Sequence, residues 1–181
     1  HAERVLLIEA AGLTKLSQSL NKTLTNALNI LQDINGRVIV TGMGKSGHVA
    51  KKIAATLAST GKPAFFIHPG EASHGDIGMI SEDDVVLALS NSGETPELND
   101  IISYTRRFKI PLICITSQKS SSIVIESDVS LILPSAEEAC FIGLAPTTST
   151  TMMMAYGDVL AVVLMERQGF TAEDFKLRHP G

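Results

Sequence analysis

Five short, nearly continuous apolar runs follow residue 36, and they constrain the fold of this chain more than any other feature. They occupy residues 37–40, 64–67, 85–89, 112–115 and 129–133. None of them shows the polar alternation of a strand that has one face in water. We therefore expect strands that are covered on both faces.

Helical patterns fill the segments around these runs. Leucine and alanine recur at three- and four-residue steps through about the first 34 residues, which predicts one helix there, ended by Gly36. An apolar stripe over 49–58 predicts another helix, closed by Gly61 and Pro63. This alternation of strands and helices predicts an α/β domain, in which a parallel sheet carries helices on both faces.

Further helix signals follow the third and fifth strands. Thr95 and Pro96 suit the cap and the first position of a helix. After Pro146 the pattern returns to helix, and a short helix follows Thr171. The apolar stretch 152–165 is too short to span a bilayer comfortably, so we interpret it as a buried helix.

Composition limits the partners of the chain. It has 181 residues, which fits one domain, and a net charge of −4 with no block of basic residues. Nucleic acid and anionic membranes attract positive surfaces, so neither is an expected partner. Charged residues make up only 19%, which indicates surface covered by partner subunits. Cys114 and Cys140 stand outside any CxxC or Cys/His cluster, which argues against a zinc site or disulfide framework and suits a reducing cytoplasm.

A glycine-rich stretch, G-M-G-K-S-G at 42–47, lies between the first strand and the next helix. It matches a dinucleotide-binding pattern, but that pattern needs an acidic residue at the end of the second strand, and Glu71 comes too late. A nucleoside-triphosphate loop would need a glycine where Ile39 stands. Two interpretations stay open: an anion site to which Lys45 adds positive charge, and a tight turn with Lys45 in solvent.

The sequence S-N-S-G-E-T-P-E at 90–97 follows the third strand. Its hydroxyls and backbone N–H groups gather at a strand end and a helix N-terminus, which suits a phosphate monoester. Helix capping and turn formation are the alternative, but three hydroxyls together favour phosphate. The predicted phosphate-binding residues of the two loops are Gly44, Ser46, Ser90, Asn91, Ser92, Gly93 and Thr95.

These motifs resemble the sugar isomerase (SIS) family, and more closely its D-arabinose 5-phosphate isomerases. The resemblance also includes H-P-G-E-A-S-H-G-D at 68–76, L-A-P-T-T-S at 144–149 and the tail F-K-L-R-H-P-G at 175–181. It covers nearly the whole chain, so we expect residues 1–181 to form one SIS domain. It implies a three-layer α/β/α sandwich around a five-stranded parallel sheet. It also implies a pair of cystathionine-β-synthase (CBS) domains after the tail, outside this chain.

The resemblance further implies a reaction, which is the interconversion of D-arabinose 5-phosphate and D-ribulose 5-phosphate through an enediol. The product feeds synthesis of 3-deoxy-D-manno-octulosonate, a lipopolysaccharide or capsule sugar. The family implies a homotetramer that needs no cofactor and no metal, with zinc at His74 expected only as an inhibitor. The cysteine pattern places it in the cytoplasm. Two alternatives stay open: an isomerase of another sugar phosphate, and a phosphosugar sensor without catalytic activity.

Five residues are candidates for the acid–base chemistry. Aldose–ketose isomerisation needs a base near C1 and C2 and a proton donor near O1 and O2. Glu138 follows the last strand and resembles a carboxylate of the family's site, so it is the first choice for the base. Glu97 follows the serine-rich loop, and Lys45 suits the phosphate or a developing enediolate. His74 and His179 suit the oxygen proton, and His179 is expected to reach a neighbouring subunit's site.

Overall fold

The computed structural model of the protein describes residues 1–179, so Pro180 and Gly181 of the tail motif lie outside the described residues. The predicted strands form a five-stranded sheet in which every pairing is parallel. The strands are β1 (Val38–Gly42), β2 (Ala64–Ile67), β3 (Val85–Leu89), β4 (Leu112–Thr116) and β5 (Val129–Ile132). Their order across the sheet is β2-β1-β3-β4-β5. The order therefore reverses between β1 and β3.

Helices cover both faces of this sheet. One face carries α1 (Ala2–Ser19), α2 (Lys22–Asp33), α3 (Gly44–Ser59) and α7 (Thr148–Arg167). The other face carries α4 (Pro69–Ala72), α5 (Asn99–Phe108) and α6 (Ser122–Glu126), and α8 (Ala172–Arg178) follows α7. This arrangement confirms the predicted three-layer α/β/α fold.

The central strand β3 explains why the apolar runs are continuous. Val85, Leu87 and Leu89 point into the core under α3 and α7, and Val86 and Ala88 point into the core under α5. All five side chains are fully buried. A strand between two helical layers has no wet face, so its sequence shows no alternation.

The N-terminal segment differs from the prediction of one helix that Gly36 ends. Leu20 is extended and separates α1 from α2, and the Asn21 side chain caps α2 by accepting a hydrogen bond from the Thr23 N–H at 2.8 Å. Asparagine is a preferred N-cap residue, and the apolar spacing hid this break because the two helices pack on the same core. Helix α2 ends before Gly36, which is needed instead because a Cβ there would lie 2.4 Å from the Asp83 carbonyl oxygen.

The helix predicted to begin at Thr95 and Pro96 also starts differently. A single 3₁₀ turn spans Pro96–Leu98, and α5 begins only at Asn99. Thr95 occupies the cap position, but its hydroxyl makes no capping hydrogen bond. It faces the Ser90 hydroxyl instead, at 2.7 Å.

Helix α7 contains the apolar stretch near the C-terminus and is half-buried. Within residues 1–179 it is the one helix long and apolar enough to cross a membrane by length and composition, and half of its apolar window is buried in the protein. Gly157 lets α3 approach closely, because a Cβ there would lie 2.3 Å from Ile53 Cγ1. Contacts of this kind are those of a core helix, as the sequence predicts.

Candidate active site

The loops that follow β1, β2 and β3 meet at one edge of the sheet. These strands are neighbours and run in parallel, so their carboxyl ends lie side by side. Ligands of open α/β sheets bind outside this edge, where the strand order reverses. Here the reversal lies between β1, which leads into the glycine-rich loop, and β3, which leads into the serine-rich loop.

The glycine-rich loop brings the N-terminus of α3 close to the end of β1. Gly44 opens α3 with a φ of +57°, and a Cβ on Gly47 would lie 2.6 Å from the Gly42 carbonyl oxygen. The loop therefore needs glycine for its turn and for close packing of helix on strand. Lys45 is exposed, and the Ser46 hydroxyl lies 3.8 Å from Met153 Sδ of α7.

The serine-rich loop is held together by its own hydroxyls. Ser90 is buried, and its Oγ accepts a hydrogen bond from the Gly93 N–H at 2.9 Å and lies 2.7 Å from the Thr95 hydroxyl. Gly93 has a φ of +68°, which favours glycine. Ser92 is exposed, and its Oγ accepts from the Glu94 N–H at 3.2 Å. The predicted phosphate residues thus divide into Ser90 and Thr95, which shape the loop, and Asn91 and Ser92, which lie at its surface.

A second loop, after β4, supports the first. The Ser117 hydroxyl donates to Asn91 Oδ1 at 2.6 Å. The Glu94 carboxylate accepts from the Ser122 N–H at 2.7 Å and from the Ser122 hydroxyl at 2.6 Å, and these two bonds lower the pKa of Glu94. Ser117 and Ser122 were not among the predicted site residues, although the serine-rich stretch 117–122 after a buried strand is a visible signal.

A cavity of about 960 Å³ lies beside the serine-rich loop, next to the ends of β4 and β5. It does not include Lys45, Glu138 or either candidate histidine. Its walls are formed by Ser19, Asn21, Ser92, Glu94, Ser117, Gln118, Lys119, Ser120, Ser121, Ile132, Leu133, Pro134 and Ser135. The surface of the serine-rich loop therefore borders open space on the side away from β1.

Glu138 lies at the N-terminus of α7, where three hydrogen bonds fix one of its carboxylate oxygens. Oε2 accepts from the Thr147 N–H at 2.7 Å, from the Thr147 hydroxyl at 2.9 Å and from the Ser149 N–H at 3.3 Å. Burial raises the pKa of Glu138. The groups of Ser149 and Thr147 around the carboxylate lower this pKa by more than burial raises it, so the net pKa is below its ordinary value. Glu138 is thus held as an anion at a helix N-terminus.

The N-terminal helix clamps the segment that carries Glu138. Arg4 donates to the Ala139 carbonyl oxygen at 3.0 Å, and Lys15 donates to the Ser135 carbonyl oxygen at 3.2 Å. Between these contacts Gly12 faces the start of α7, because a Cβ there would lie 2.4 Å from Thr148 Cγ2. Helix α1 therefore fixes both ends of the path from β5 to α7.

Glu138 is close to the glycine-rich loop as well. Ser46, at the start of α3, contacts Met153, which lies four residues after Ser149 on α7. At about 1.5 Å per residue, this contact is only ~6 Å along the helix from the N–H group that binds the Glu138 carboxylate. Lys45, Ser46 and Glu138 therefore belong to one region at the carboxyl edge of the sheet.

The remaining candidates occupy different places. His74 and Glu97 are exposed on the segments after β2 and β3, at the same edge as the loops. His179 is exposed after α8 and stacks on Phe175, with ring centroids 3.9 Å apart. Its neighbour Arg178 lines a surface hollow with Ala58 near the end of α3. That end is ~20 Å from the start of α3, at about 1.5 Å per residue, so His179 lies far from its own chain's loops.

A known protein family covers the part of the chain that contains these residues. The sequence profile of the SIS domain matches residues 30–163, which include both loops and Glu138. The chain belongs to the SIS family.

Relatives of this SIS domain include named isomerases. Over 179 residues it is 52% identical to the arabinose 5-phosphate isomerase KdsD of Escherichia coli K12, and over 180 residues it is 50% identical to KdsD of Pseudomonas aeruginosa. These matches cover 99% of the chain and 55% of each relative, so the chain spans about half the length of these curated relatives. The solved structure of E. coli CFT073 c3406 in complex with arabinose 5-phosphate has a TM-score of 0.95 and 40% identity, covering 99% of this chain and 95% of that one.

Acidic, histidine and cysteine side chains are spread out in the described part of the chain. Within residues 1–179 no three His, Cys, Asp or Glu side chains come together as a metal-binding group, and inhibitory zinc at His74 stays a prediction. Cys114 is fully buried, and burial raises the pKa of its thiol. Thr147, which binds the Glu138 carboxylate, was not among the predicted site residues, although it lies in the hydroxyl-rich motif at 144–149.

Proposed function

We propose that this SIS domain interconverts D-arabinose 5-phosphate and D-ribulose 5-phosphate. The observation that carries the proposal is that two anion-suited loops and an anchored carboxylate, Glu138, share one edge of the sheet. The names of the KdsD relatives and the arabinose 5-phosphate bound to c3406 support this choice of substrate over other sugar phosphates.

The two loops would bind the phosphate. The exposed Ser92 and Asn91, together with backbone N–H groups of the serine-rich loop, are suited to the phosphate oxygens. Ser90 and Thr95 keep that loop in shape, Gly44 and Gly93 allow the backbone to approach, and the N-terminus of α3 with Ser46 adds a favourable dipole. No basic cluster is needed, which agrees with the net charge of −4.

The chemistry moves two protons and no net electrons. Glu138 takes the proton from C2 of the aldose, and the electron pair of that C–H bond forms the C1=C2 bond of the enediol while O1 is protonated. Loss of the O2 proton then forms the C2=O bond, and C1 receives the proton from Glu138, which gives the ketose. Lys45 would stabilise the developing enediolate, and His74, His179 or Glu97 would shuttle the oxygen proton.

His179 would act in the site of a neighbouring subunit of a homotetramer. Within one chain it lies about a helix length from Glu138, and its Phe175 and Leu177 neighbours are exposed. Large apolar side chains are also exposed along α1 and the segment before α7, which suits subunit contacts. They include Leu6, Leu7, Phe141, Ile142 and Leu144.

The setting of the reaction follows from the same proposal. We place it in the cytoplasm, without a cofactor or required metal, in the supply of 3-deoxy-D-manno-octulosonate to lipopolysaccharide. The curated relatives are nearly twice as long as this chain, since the match covers 55% of them. The CBS pair after the tail stays a prediction for the remaining length.

Turnover of D-arabinose 5-phosphate by the purified chain, in the presence of EDTA, tests the proposal. We expect ketose formation from this substrate and far less from D-ribose 5-phosphate or D-glucose 6-phosphate. Because Glu138→Gln keeps the shape but removes the base, it should lower kcat by about a hundred-fold or more while the sugar phosphate still binds. Binding of the sugar phosphate without turnover would instead indicate a sensor, and preference for another sugar would correct the substrate.

A further inference from the structure

The two oxygens of Glu138 have different surroundings. Oε2 accepts the three hydrogen bonds from Thr147 and Ser149, and no hydrogen bond reaches Oε1 from residues 1–179. A carboxylate anchored through one oxygen keeps a fixed orientation, and its other oxygen stays available as an acceptor. Oε1 is therefore the oxygen that can receive a proton from a bound substrate.

The Thr147 hydroxyl is the side-chain group that donates a hydrogen bond to Oε2. It accepts from the Ala139 N–H at 2.8 Å and donates to Glu138 Oε2 at 2.9 Å. The donor directions are settled, because an N–H can only donate and an ionised carboxylate can only accept. A chain of hydrogen bonds with one direction thus links the backbone just after Glu138 to its own carboxylate.

Charged side chains do not replace this hydroxyl. Arg4 and Lys15, which face the segment from α1, donate to the carbonyl oxygens of Ala139 and Ser135 and not to the Glu138 carboxylate. Glu137, the adjacent acid, is exposed. The position of the carboxylate therefore depends on Thr147, on the two N–H groups and on the N-terminus of α7. The neutral Ser149 side chain beside it also favours the ionised form.

We propose that Thr147 is a positioning residue for catalysis: it anchors Oε2 of Glu138 so that Oε1 faces the substrate carbon. This inference rests on the proposed function, because it assigns Glu138 the role of base. Thr147 itself would touch no reacting atom. Its hydroxyl sets the direction of the carboxylate and favours its ionised form, since a hydrogen bond to a charged acceptor stabilises the charge.

Replacing the hydroxyl with a methyl group tests the proposal. Thr147→Val keeps the shape and the backbone N–H, and should lower kcat for D-arabinose 5-phosphate by about ten- to a hundred-fold with little change in KM. The acidic limb of the kcat profile should move to higher pH, because loss of the bond raises the pKa of Glu138. Thr147→Ser keeps the hydroxyl and should restore both properties.

Thr150→Val is the matched control. The Thr150 hydroxyl lies one turn further along α7 and donates to the Thr147 carbonyl oxygen at 2.9 Å, so the same substitution there spares the Glu138 carboxylate. We expect near-normal kcat and an unchanged pH profile. Equal losses in the two valine variants would overturn a specific role for Thr147.

An NMR titration separates this proposal from the proposed function. The carboxyl carbon of Glu138, assigned by its loss in Glu138→Gln, can be titrated in the chain without substrate. Thr147→Val should raise the pKa of Glu138, whether or not the chain turns over D-arabinose 5-phosphate. An unchanged pKa would overturn the anchoring role. A raised pKa with normal kcat in an active enzyme would overturn the catalytic consequence.

Discussion

Individual residues of the serine-rich loop have different functions, although their motif suggests that all of them bind phosphate. Ser90 and Thr95 look like phosphate ligands in the sequence, yet their hydroxyls face each other inside the loop. Gly93 is constrained twice, by its φ of +68° and by Ser121. The shape of the loop is therefore set by residues that need not touch the ligand.

Gly93→Ala should disturb this loop more than its backbone strain alone predicts. A Cβ at Gly93 would lie 2.0 Å from Ser121 Oγ, whereas one at Gly169, which has a similar φ of +64°, would have no atom within 4 Å. Both variants carry a left-handed penalty of about 1–2 kcal/mol. We expect at least a ten-fold higher KM for the sugar phosphate only in Gly93→Ala. Equal KM values in the two variants would contradict this prediction and show that the Ser121 side chain can move away from the added methyl group at little cost.

The sequence predicts where a site residue lies in the fold better than it predicts which residues form hydrogen bonds with it. The place of Glu138 follows from the end of a predicted strand, because parallel strands deliver their loops to one edge. Its bond to Thr147 depends on how the intervening loop folds back, which no periodicity encodes. The contact between Arg4 and Ala139 joins residues 135 positions apart and likewise leaves no local signal.

At the scale of secondary-structure elements, the same kind of hydrogen bond occurs twice at the opposite, amino edge of the sheet. In each case an aspartate before one strand accepts from a backbone N–H near the start of the neighbouring strand. Asp84, just before β3, accepts from the Arg37 N–H before β1 at 2.7 Å. Asp128, just before β5, accepts from the Leu112 N–H at the start of β4 at 2.7 Å. Each aspartate also pairs with an arginine, Asp84 with Arg37 and Asp128 with Arg106. An acid before one strand thus satisfies the first N–H of its neighbour.

Removing these two acids should have unequal effects. Asp84 is buried and satisfies the N–H groups of both Arg37 and Ser81, so Asp84→Ala should lower the free energy of unfolding by about 2–4 kcal/mol. Asp128 is more exposed, and Asp128→Ala should cost about 1 kcal/mol. Urea denaturation at pH 7 measures both values. A larger loss in Asp128→Ala would contradict this ranking.

The contribution of Asp84 depends on pH in a defined direction. Burial raises the pKa of Asp84. The hydrogen bonds from Arg37 and Ser81 lower this pKa by more than burial raises it, so the net pKa lies below the ordinary value. Its stabilisation is therefore complete above the unfolded-state pKa, about 4, and is lost as the pH falls through the folded-state pKa. The gap in stability between wild type and Asp84→Ala should accordingly narrow in acid.

Helices and strands were predicted correctly where a single physical cause determines the sequence pattern. Burial on both faces makes each strand a continuous apolar run, so all five strands could be placed. The break at Leu20 and Asn21 was missed, because α1 and α2 pack on one core and keep an apolar spacing across the turn. The delayed start of α5 was missed because Thr95 bonds to Ser90 rather than to the helix.

At the scale of the whole molecule, the segment before α7 carries several of the exposed large apolar side chains. Phe141 is 88% exposed and Leu144 is 80% exposed, and Phe141 and the start of α1 line a shared cavity of about 720 Å³. Exposed patches of this kind mark interaction sites in soluble proteins. The low share of charged residues, 19%, pointed to covered surface but could not locate it.

Light scattering after gel filtration tests whether copies of the chain cover this surface. We expect the mass of a tetramer for the wild type and a smaller mass for Phe141→Asp. Ile125→Asp is the matched control, because Ile125 on α6 is 76% exposed and lies on the other face of the sheet. A monomeric wild type, or equal dissociation in the two variants, would contradict the expected interface.

The proposed role of His179 links catalysis to protein concentration. Because α3 separates this histidine from the loops of its own chain, a site that uses it would assemble only when another copy is bound. Dilution would then abolish the activity without unfolding the protein. Specific activity would rise with protein concentration before it reaches a plateau. A cell that makes little of this chain would have less activity per molecule than one that makes much.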